Sequence, residues 1–547
     1  MKAAISRLGP FLAPVMAALA LAGCRPESPV IYAVYPAMGF AGGLLTIHGS
    51  FFGGERGVSY VTIAGAQPTG GAYEEWRDDM ISLRVPEFGE AGLVFVHVEG
   101  RRSNGALFVN AAAMPRQAQG GRAGLGPAID SVSPASGAVG SVVTISGSGF
   151  GNSRGQGAVF FSRSSGGAAL GSDRDLLEVS EAEFGYEMWR DREIRVRVPD
   201  GAGSGRLDVR TARGRSPPAH FEVSGGPGAK TFVDRQSFII AFSVNIETLE
   251  AEAPNALHLW VPFPDASAAQ RNAELLFSSP EPFILEYMGA TLYRLENLEA
   301  HSAANVNLSW AVDVYGVRTS VQPQAVARGA ASPLRDAYVR ACPRLPADDP
   351  RVRGLAASII GGETNPYLQA GMIYRWMLEN IAWEERVFGD VFYALENRRA
   401  DAFLAAHLYS ALLRSAGVPS RPVAGVLVGH GRQTANHYWA EFWLDGLGWI
   451  PADPVMGAGA VPPAFEFRAD AHSAGSEAAE FFFGNLDSRR IAFSRGFADI
   501  PQMDPRGRAV THERSYALQS PWEEAVGGLH AYTSAWGSII ITGMHAQ

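Results

Sequence analysis

The chain has 547 residues, a length that predicts three or four domains at roughly 150 residues each. Hydrophobic residues make up 47% and charged residues 18%, which is typical of a folded globular protein and excludes a largely disordered one. The mild net charge of −9 argues against a nucleic-acid-binding protein, because such proteins usually carry a stripe of basic residues. The chain has two cysteines, too few for a disulfide scaffold or a cysteine-based zinc site.

The first 24 residues predict export and a lipid anchor. Basic residues precede an apolar run over residues 8–22, which is short and proline-interrupted for a membrane span. The run ends in Leu21-Ala-Gly-Cys24, which resembles the bacterial lipobox. The resemblance implies a signal peptide over residues 1–23 and palmitate or a similar acyl chain on Cys24. In lipoproteins of this type an aspartate after the cysteine is the signal for retention in the inner membrane. Because residue 25 is Arg25 instead, the resemblance implies an outer-membrane location in a two-membrane bacterium. The alternative is an ordinary secretory signal with a chance cysteine.

Two copies of one module follow. Three segments recur, the first two at an offset of 98 residues and the third at 113: Pro36–Gly39 with Pro134–Gly137, Leu44–Gly49 with Val142–Gly147, and Trp76–Asp78 with Trp189–Asp191. The increase of the offset from 98 to 113 residues means that the second copy contains about fifteen extra residues, which lie after Phe161. Short alternating runs bounded by Gly, Pro and Asp turns predict β-sandwiches.

These motifs resemble the IPT/TIG family of immunoglobulin-like domains. The resemblance implies two such domains over residues 30–111 and 127–224, joined by an Ala/Gly-rich linker. A spacer role is favoured over ligand binding. Trp76 and Trp189 are predicted to be core residues rather than sugar-stacking platforms.

A further β domain is predicted over residues 228–332, followed by a change to helical periodicity. Apolar residues at three- and four-residue spacing predict a helix over residues 367–383. A second helix is predicted over residues 402–415, with Asp401 as its N-cap and Gly417 at its end.

Four segments in the last third of the chain resemble bacterial transglutaminase-like domains. They are Leu408–Arg421, His437-Tyr-Trp-Ala-Glu441, Gly446-Leu-Gly-Trp-Ile-Pro-Ala-Asp-Pro454 and Phe483–Phe493. The resemblance covers residues 230–520 and implies a papain-like α+β core over residues 333–547. The predicted fold class is therefore multidomain: two immunoglobulin-like sandwiches, a further β domain and a C-terminal transglutaminase-like core.

Such a domain is expected to work through a Cys-His-Asp triad. A thiolate at a helix N-terminus attacks a carbonyl carbon, histidine shuttles the proton and aspartate orients the imidazole. The resemblance places His437 and Asp453 on the histidine and aspartate, and Trp439 and Trp449 are predicted to contribute to binding. The nucleophile position, twelve residues before Arg414, is Ala402, so the sulfur is absent.

Other nucleophiles and a metal site are weaker alternatives. Cys342 is most simply a structural thiol, and Ser410 lies about 12 Å along the helix from Ala402. Asp401 is adjacent but already predicted to cap the helix. The histidines at 407, 430 and 437 lack a metal-binding pattern, so no metal or other cofactor is predicted.

Two functions remain open. The favoured one is a lipid-anchored pseudoenzyme that holds a transglutaminase-like cleft on a two-module stalk and binds a peptide, protein or cell-wall ligand. The alternative is an active acyltransferase or amidase with an unassigned nucleophile.

Overall fold

A computed structural model of the chain describes residues 28–39, 41–86, 91–110, 126–164, 175–429, 431–460 and 478–546. The predicted signal peptide with Cys24, most of the predicted linker and His430 lie outside the described residues. The chain divides into two compact units, residues 1–114 and 115–547. The first unit holds the first module, and the second holds the second module, the β domain and the helical core.

The first module is a sandwich of two sheets. Its strands are β1 (Val30–Tyr35), β2 (Met38–Gly39), β3 (Leu44–Ser50), β4 (Tyr60–Ile63), β5 (Tyr73–Trp76), β6 (Met80–Arg84), β7 (Ala91–Val98), β8 (Arg101–Arg102) and β9 (Ala106–Asn110). One sheet has the order β1-β3-β6-β5 and the other β2-β9-β7-β4, with β8 paired to β7. Alternate side chains of β3 and β4, such as Leu45, Ile47 and Val61, are fully buried between the sheets, as the period of two requires.

The second module repeats this sandwich. Its strands are β10 (Ala128–Ser133), β11 (Ser136–Gly137), β12 (Val142–Ser148), β13 (Ala158–Arg163), β14 (Leu176–Glu178), β15 (Tyr186–Arg190), β16 (Glu193–Arg197), β17 (Ala202–Thr211), β18 (Gly214–Arg215) and β19 (Ala219–Val223). The sheets have the orders β10-β12-β16-β15 and β11-β19-β17-β13-β14, with β18 paired to β17. The immunoglobulin-like sandwiches predicted from the repeat are therefore confirmed.

The two modules share an equivalent tryptophan hydrogen bond. The indole N–H of Trp76 donates to the carbonyl oxygen of Phe52 at 2.9 Å, and that of Trp189 donates to Phe150 at 3.1 Å. Both tryptophans also pack against the apolar cores of their modules. Both rings are half-buried and pack against the cores from the edge, so they make structural contacts without being the core residues that the sequence predicts.

A large antiparallel sheet follows the modules. Its first strands are β20 (Gly228–Pro262), β21 (Gln270–Ser279), β22 (Ile284–Tyr287), β23 (Ala290–Glu296) and β24 (Ser302–Val321). They are arranged in the order β21-β24-β20-β23-β22. The long strand β20 pairs with β24 along most of its length, from Gly228 opposite Val321 to Thr248 opposite Ser302.

The helical core then occupies the chain from residue 333. Its helices are α1 (Pro333–Val339), α2 (Pro350–Ile360), α3 (Pro366–Asn380), α4 (Val391–Asn397), α5 (Ala402–Ser415), α6 (Pro454–Gly457) and α7 (Ala478–Phe481). The strands of this segment are β25 (Ala382–Trp383), β26 (Arg399–Ala400), β27 (Ser420–Val428), β28 (Thr434–Leu444), β29 (Gly448–Ala452), β30 (Arg490–Arg495), β31 (Ala498–Asp499), β32 (Arg508–Val510) and β33 (Gln519–Ser520). The central sheet has the antiparallel order β29-β28-β27-β30.

The C-terminal strands belong to the large sheet of the β domain. Strands β34 (Glu523–Trp536) and β35 (Ile540–Ala546) pair with β20, and β32 pairs with β34. The end of the chain therefore completes the β domain instead of extending the helical core. Burial explains the return, because Trp522, Ala525 and Leu529 lie in one apolar cluster with β20 and β24 side chains.

Helix α5 begins and ends where the sequence predicts. The Asp401 side chain caps its first turn, and Gly417 adopts a positive φ of 73° just past its last residue, a conformation that glycine tolerates best. Residues 404–414 are all buried, so the helix is enclosed on every side rather than on the single apolar face the sequence suggested.

Candidate functional site

The site is built where α5 packs against β27 and β28 of the central sheet. Ala402 is the first residue of α5, and His437 lies on β28. Ala402 packs at the edge of an apolar cluster that includes Tyr438, the neighbour of His437. The structure therefore brings together the helix that begins at the predicted nucleophile position and the strand that carries the predicted histidine.

The Asp401 carboxylate is fully engaged. One oxygen accepts the backbone N–H of Leu404 at 2.9 Å, which caps α5, and the other accepts the N–H of Val387 at 3.1 Å. The second oxygen also forms an ion pair with Arg514. A carboxylate held by two backbone donors and a guanidinium is stabilised as a structural anion, which favours the N-cap role over the nucleophile role.

His437 and Asp453 form a buried hydrogen-bonded pair. His437 Nε2 lies 2.7 Å from Asp453 Oδ2, and the side chains are 2% and 0% exposed. The other oxygen, Oδ1, accepts the backbone N–H of Met456 at 3.0 Å and caps the short helix α6. The aspartate is thereby fixed in position and can orient the imidazole, which leaves Nδ1 as the second ring nitrogen.

Arg490 is a third member of this group, and the sequence analysis did not identify it. Its Nη1 donates to Asp453 Oδ2 at 2.5 Å and its Nε donates to Asp487 at 2.9 Å. Burial would raise the pKa of Asp453, but the charges of His437 and Arg490 outweigh it and hold that pKa well below its usual range. The one available signal was the Asp487-Ser-Arg-Arg490 spacing in the tail motif.

The two predicted binding tryptophans lie in different surroundings. Trp439 stacks on His437 with ring centroids 6.4 Å apart and is 2% exposed. Trp449 is instead packed between Tyr338 and Trp443, and its indole N–H donates to Glu183 of the second module at 2.8 Å. The structure brings Trp439 to the His–Asp pair and Trp449 to the contact with the second module, so binding by either ring stays a prediction.

The weaker alternative nucleophiles, Cys342 and Ser410, lie away from the start of α5. Cys342 lies two residues after Arg340, whose carbonyl oxygen accepts a hydrogen bond from Arg414 Nη1 at 2.7 Å. Arg414 is twelve residues along α5 from Ala402, which corresponds to about 18 Å. Ser410 is fully buried and lies about 12 Å along the helix. Neither side chain occupies the helix N-terminus, where a thiol or hydroxyl would be activated.

No cluster of three or more His, Cys, Asp or Glu side chains that fits a metal ion occurs among the described residues. His407 bonds locally, with Nδ1 2.7 Å from the Phe403 carbonyl oxygen. Within the same described ranges, no helix combines the length and apolar character needed to cross a membrane.

Comparison with known proteins agrees with this geometry. Residues 353–454 match the model of the Transglutaminase-like superfamily, and residues 29–109 and 127–223 match the IPT/TIG domain model. An uncharacterized protein of Haemophilus influenzae is 26% identical over 195 residues, which cover 30% of this chain and 52% of that protein. This chain thus spans about half the length of the curated relative it matches.

Two solved structures are similar at low identity. A protein of Cytophaga hutchinsonii provisionally assigned as a cysteine protease is 14% identical with a TM-score of 0.37, covering 58% of this chain and 92% of that chain. A surface glycan-binding protein of Prevotella bryantii is 8% identical with a TM-score of 0.20, covering 54% of this chain and 99% of that chain. By the family matches, the chain contains two IPT/TIG domains followed by a transglutaminase-like domain.

Proposed function

We propose that the protein is a cell-envelope lipoprotein whose transglutaminase-like domain binds a peptide, protein or cell-wall ligand without transferring an acyl group. The observation that carries the proposal is the combination of Ala402 at the first position of α5 with an intact His437–Asp453 hydrogen bond. A methyl group cannot attack a carbonyl carbon, so the cysteine mechanism does not operate at this position.

The surroundings of Ala402 support loss of catalysis. The nearest carboxylate, Asp401, is held by two backbone N–H groups and Arg514. Cys342 lies two residues after Arg340, which contacts Arg414 near the C-terminal end of α5, and therefore away from the helix N-terminus, where a thiolate is stabilised. Neither group replaces the missing sulfur.

The retained dyad has a structural role that does not depend on catalysis. Asp453 joins β28 to β30 through His437 and Arg490, and it also caps α6. Removing the nucleophile leaves this buried network and the packing of α5 on the sheet unchanged. A binding groove therefore survives the loss of the sulfur more easily than a reaction does.

The proposed location rests on the sequence of the first 25 residues. Lipidation of Cys24 would tether the chain to a membrane, and Arg25 favours the outer membrane where the bacterium has two. The alternative function, an acyltransferase or amidase with an unassigned nucleophile, draws support from the same retained dyad.

The experiment restores the sulfur and controls for its place on the helix. In a chain that starts at residue 25 and carries Cys342→Ser, we would compare the parent with Ala402→Cys and Ala416→Cys. Ala402 and Ala416 are both partly buried, and they stand at opposite ends of α5, where the dipole stabilises and destabilises a thiolate respectively. The readouts are alkylation rate by intact mass and incorporation of a dansylated amine into a glutamine-donor protein.

We expect Ala402→Cys to be alkylated faster than Ala416→Cys and to incorporate amine, whereas the cysteine-free parent does not. Adding His437→Gln to Ala402→Cys should abolish incorporation. Amine incorporation by the parent would overturn the proposal in favour of the alternative. Co-sedimentation of the parent with insoluble cell-wall material then measures binding, and absence of both binding and activity would also contradict the proposal.

A further inference from the structure

A cavity of about 610 Å³ lies where the second module, the β domain and the helical core meet. Its size falls within the range of small-molecule sites, about 300–1,000 Å³. Arg163 and Arg197 line it from the second module, Arg271 from the β domain, and Trp439 and Arg490 from the core. Neither Ala402 nor His437 lines it, so the cavity is separate from the start of α5.

Among the described residues, five buried nitrogen donors without an acceptor line this cavity. Every buried side-chain atom of its described lining that lacks a hydrogen-bond partner is a nitrogen donor. These five are Trp439 Nε1, Arg490 Nη2, Arg163 Nη1, Arg197 Nε and Arg495 Nε, and the last of these lies 3.1 Å from a carboxylate oxygen of Asp265. Trp439 and the Arg490 side chain are each 2% exposed, which denies them bulk water, and an unsatisfied buried N–H is costly in a folded protein.

The carboxylates that line the cavity already have partners. Glu183 pairs with Arg421 and accepts the indole N–H of Trp449. Glu441 pairs with Arg421 and Arg495, and Asp487 accepts Arg490 Nε. These acids are therefore engaged with other groups, which leaves the acceptors of the four donors other than Arg495 Nε to be supplied by water or by a ligand.

The charges around Arg163 point in the same direction. Burial, reinforced by the neighbouring positive charge of Arg271 and opposed by Tyr315 and Asp175, lowers the pKa of Arg163 to about 10. Two guanidinium groups that repel each other beside a buried space favour an anion between or next to them. Planar, two-oxygen anions match guanidinium groups in geometry.

We propose that this cavity binds the carboxylate group of a small organic ligand through Trp439, Arg490 and Arg163. The site goes beyond the proposed function, because it requires neither a nucleophile nor the residues at the start of α5. Arg490 also holds Asp453, so an occupied cavity touches the group that orients His437.

The test is calorimetric titration of the full-length chain with three probes: N-acetyl-alanyl-alanine, its C-terminal amide, and glucuronic acid. We expect at least one acid to bind and the amide to bind more than tenfold more weakly than its parent acid. Binding of the peptide acid alone identifies a peptide C-terminus, and binding of glucuronate alone identifies a sugar acid. Equal binding of acid and amide, or no acid binding up to about 10 mM, would overturn the proposal.

Variants assign binding to this cavity. Trp439→Phe removes one donor and keeps a ring, and Trp310→Phe is the matched control, because Trp310 also has a buried, unpartnered indole N–H but does not line the cavity. We expect Trp439→Phe to weaken acid binding about fivefold or more and Trp310→Phe to leave it unchanged. Arg163→Gln, on a different module, should weaken acid binding independently, so a folding defect of one variant does not decide the outcome. Equal affinity in the parent and both cavity variants would refute the site.

Discussion

Buried His407 should make the protein sensitive to acid. Its side chain is 3% exposed, its ring centroid lies 4.1 Å from that of Phe403 and 5.4 Å from that of Phe497, and its Nε2 has no partner in the described part of the chain. Burial lowers the pKa of His407 to about 4; the hydrogen bond to the Phe403 carbonyl opposes this shift, and the charges of Arg344 and Arg514 lower the pKa further.

The sign and size of the effect follow from linkage. The unfolded chain binds a proton at this side chain near pH 6.5, whereas the folded chain binds it only near pH 4. Between these values the unfolded state holds more protons, so the free energy of unfolding falls as the pH falls. This stability is fully present above about pH 6.5, and His407 alone should cost about 2 kcal/mol between pH 7 and pH 5.

The assay compares urea unfolding of the parent and His407→Leu at pH 7, 6 and 5. Leucine keeps an apolar group of similar size at the position and removes the titration, so the variant should lose about 2 kcal/mol less stability over this range. His220→Leu, at an exposed position of the second module, should follow the parent. Parallel pH curves for the parent and His407→Leu would show that the reasoning about this buried imidazole is wrong.

Three further predictions test the packing. Asp453→Asn removes the charge that balances buried Arg490 and should destabilise the protein by about 3–5 kcal/mol in urea unfolding. Gly147→Ala places a methyl group 2.0 Å from a carbonyl oxygen of the facing strand and should lower the melting temperature of the second module, at a cost of about 1–3 kcal/mol. Glu183→Gln weakens the pairing with Arg421, which is 3% exposed, and should cost about 1–3 kcal/mol, whereas unchanged unfolding would mean that this contact does not anchor the module.

The parts of the fold that could be predicted have local signals. Helix α5 was predicted over its whole length because Asp401 caps the first turn and Gly417 follows the last one. The sandwich modules were predicted because each repeats the same alternating strands and turns. The pairing of His437 with Asp453 followed from a family motif, and the structure places them 2.7 Å apart.

The parts that could not be predicted depend on contacts between distant segments. Strand β34 pairs with β20 across more than 260 residues of sequence, and nothing in the composition of either strand identifies its partner. Arg490 reaches Asp453 because β30 lies beside β27 in the central sheet. Ion pairs of this kind form between buried charges that the folded sheet brings together, so the order of residues along the chain does not reveal them.

The second module shows why a repeat alone does not define a role. The hydrogen bonds common to both copies are internal to each module, as with the tryptophan contacts of Trp76 and Trp189. The residues of the second module that contact the helical core have no counterpart in the first module. Three positions before the shared tyrosine stands Glu183 in the second copy and Gly70 in the first, and Glu183 supplies the carboxylate for Arg421 and Trp449. The repeated residues therefore specify the sandwich, and the unrepeated ones build the second module into the same unit as the transglutaminase-like domain, which is more than a stalk segment would require.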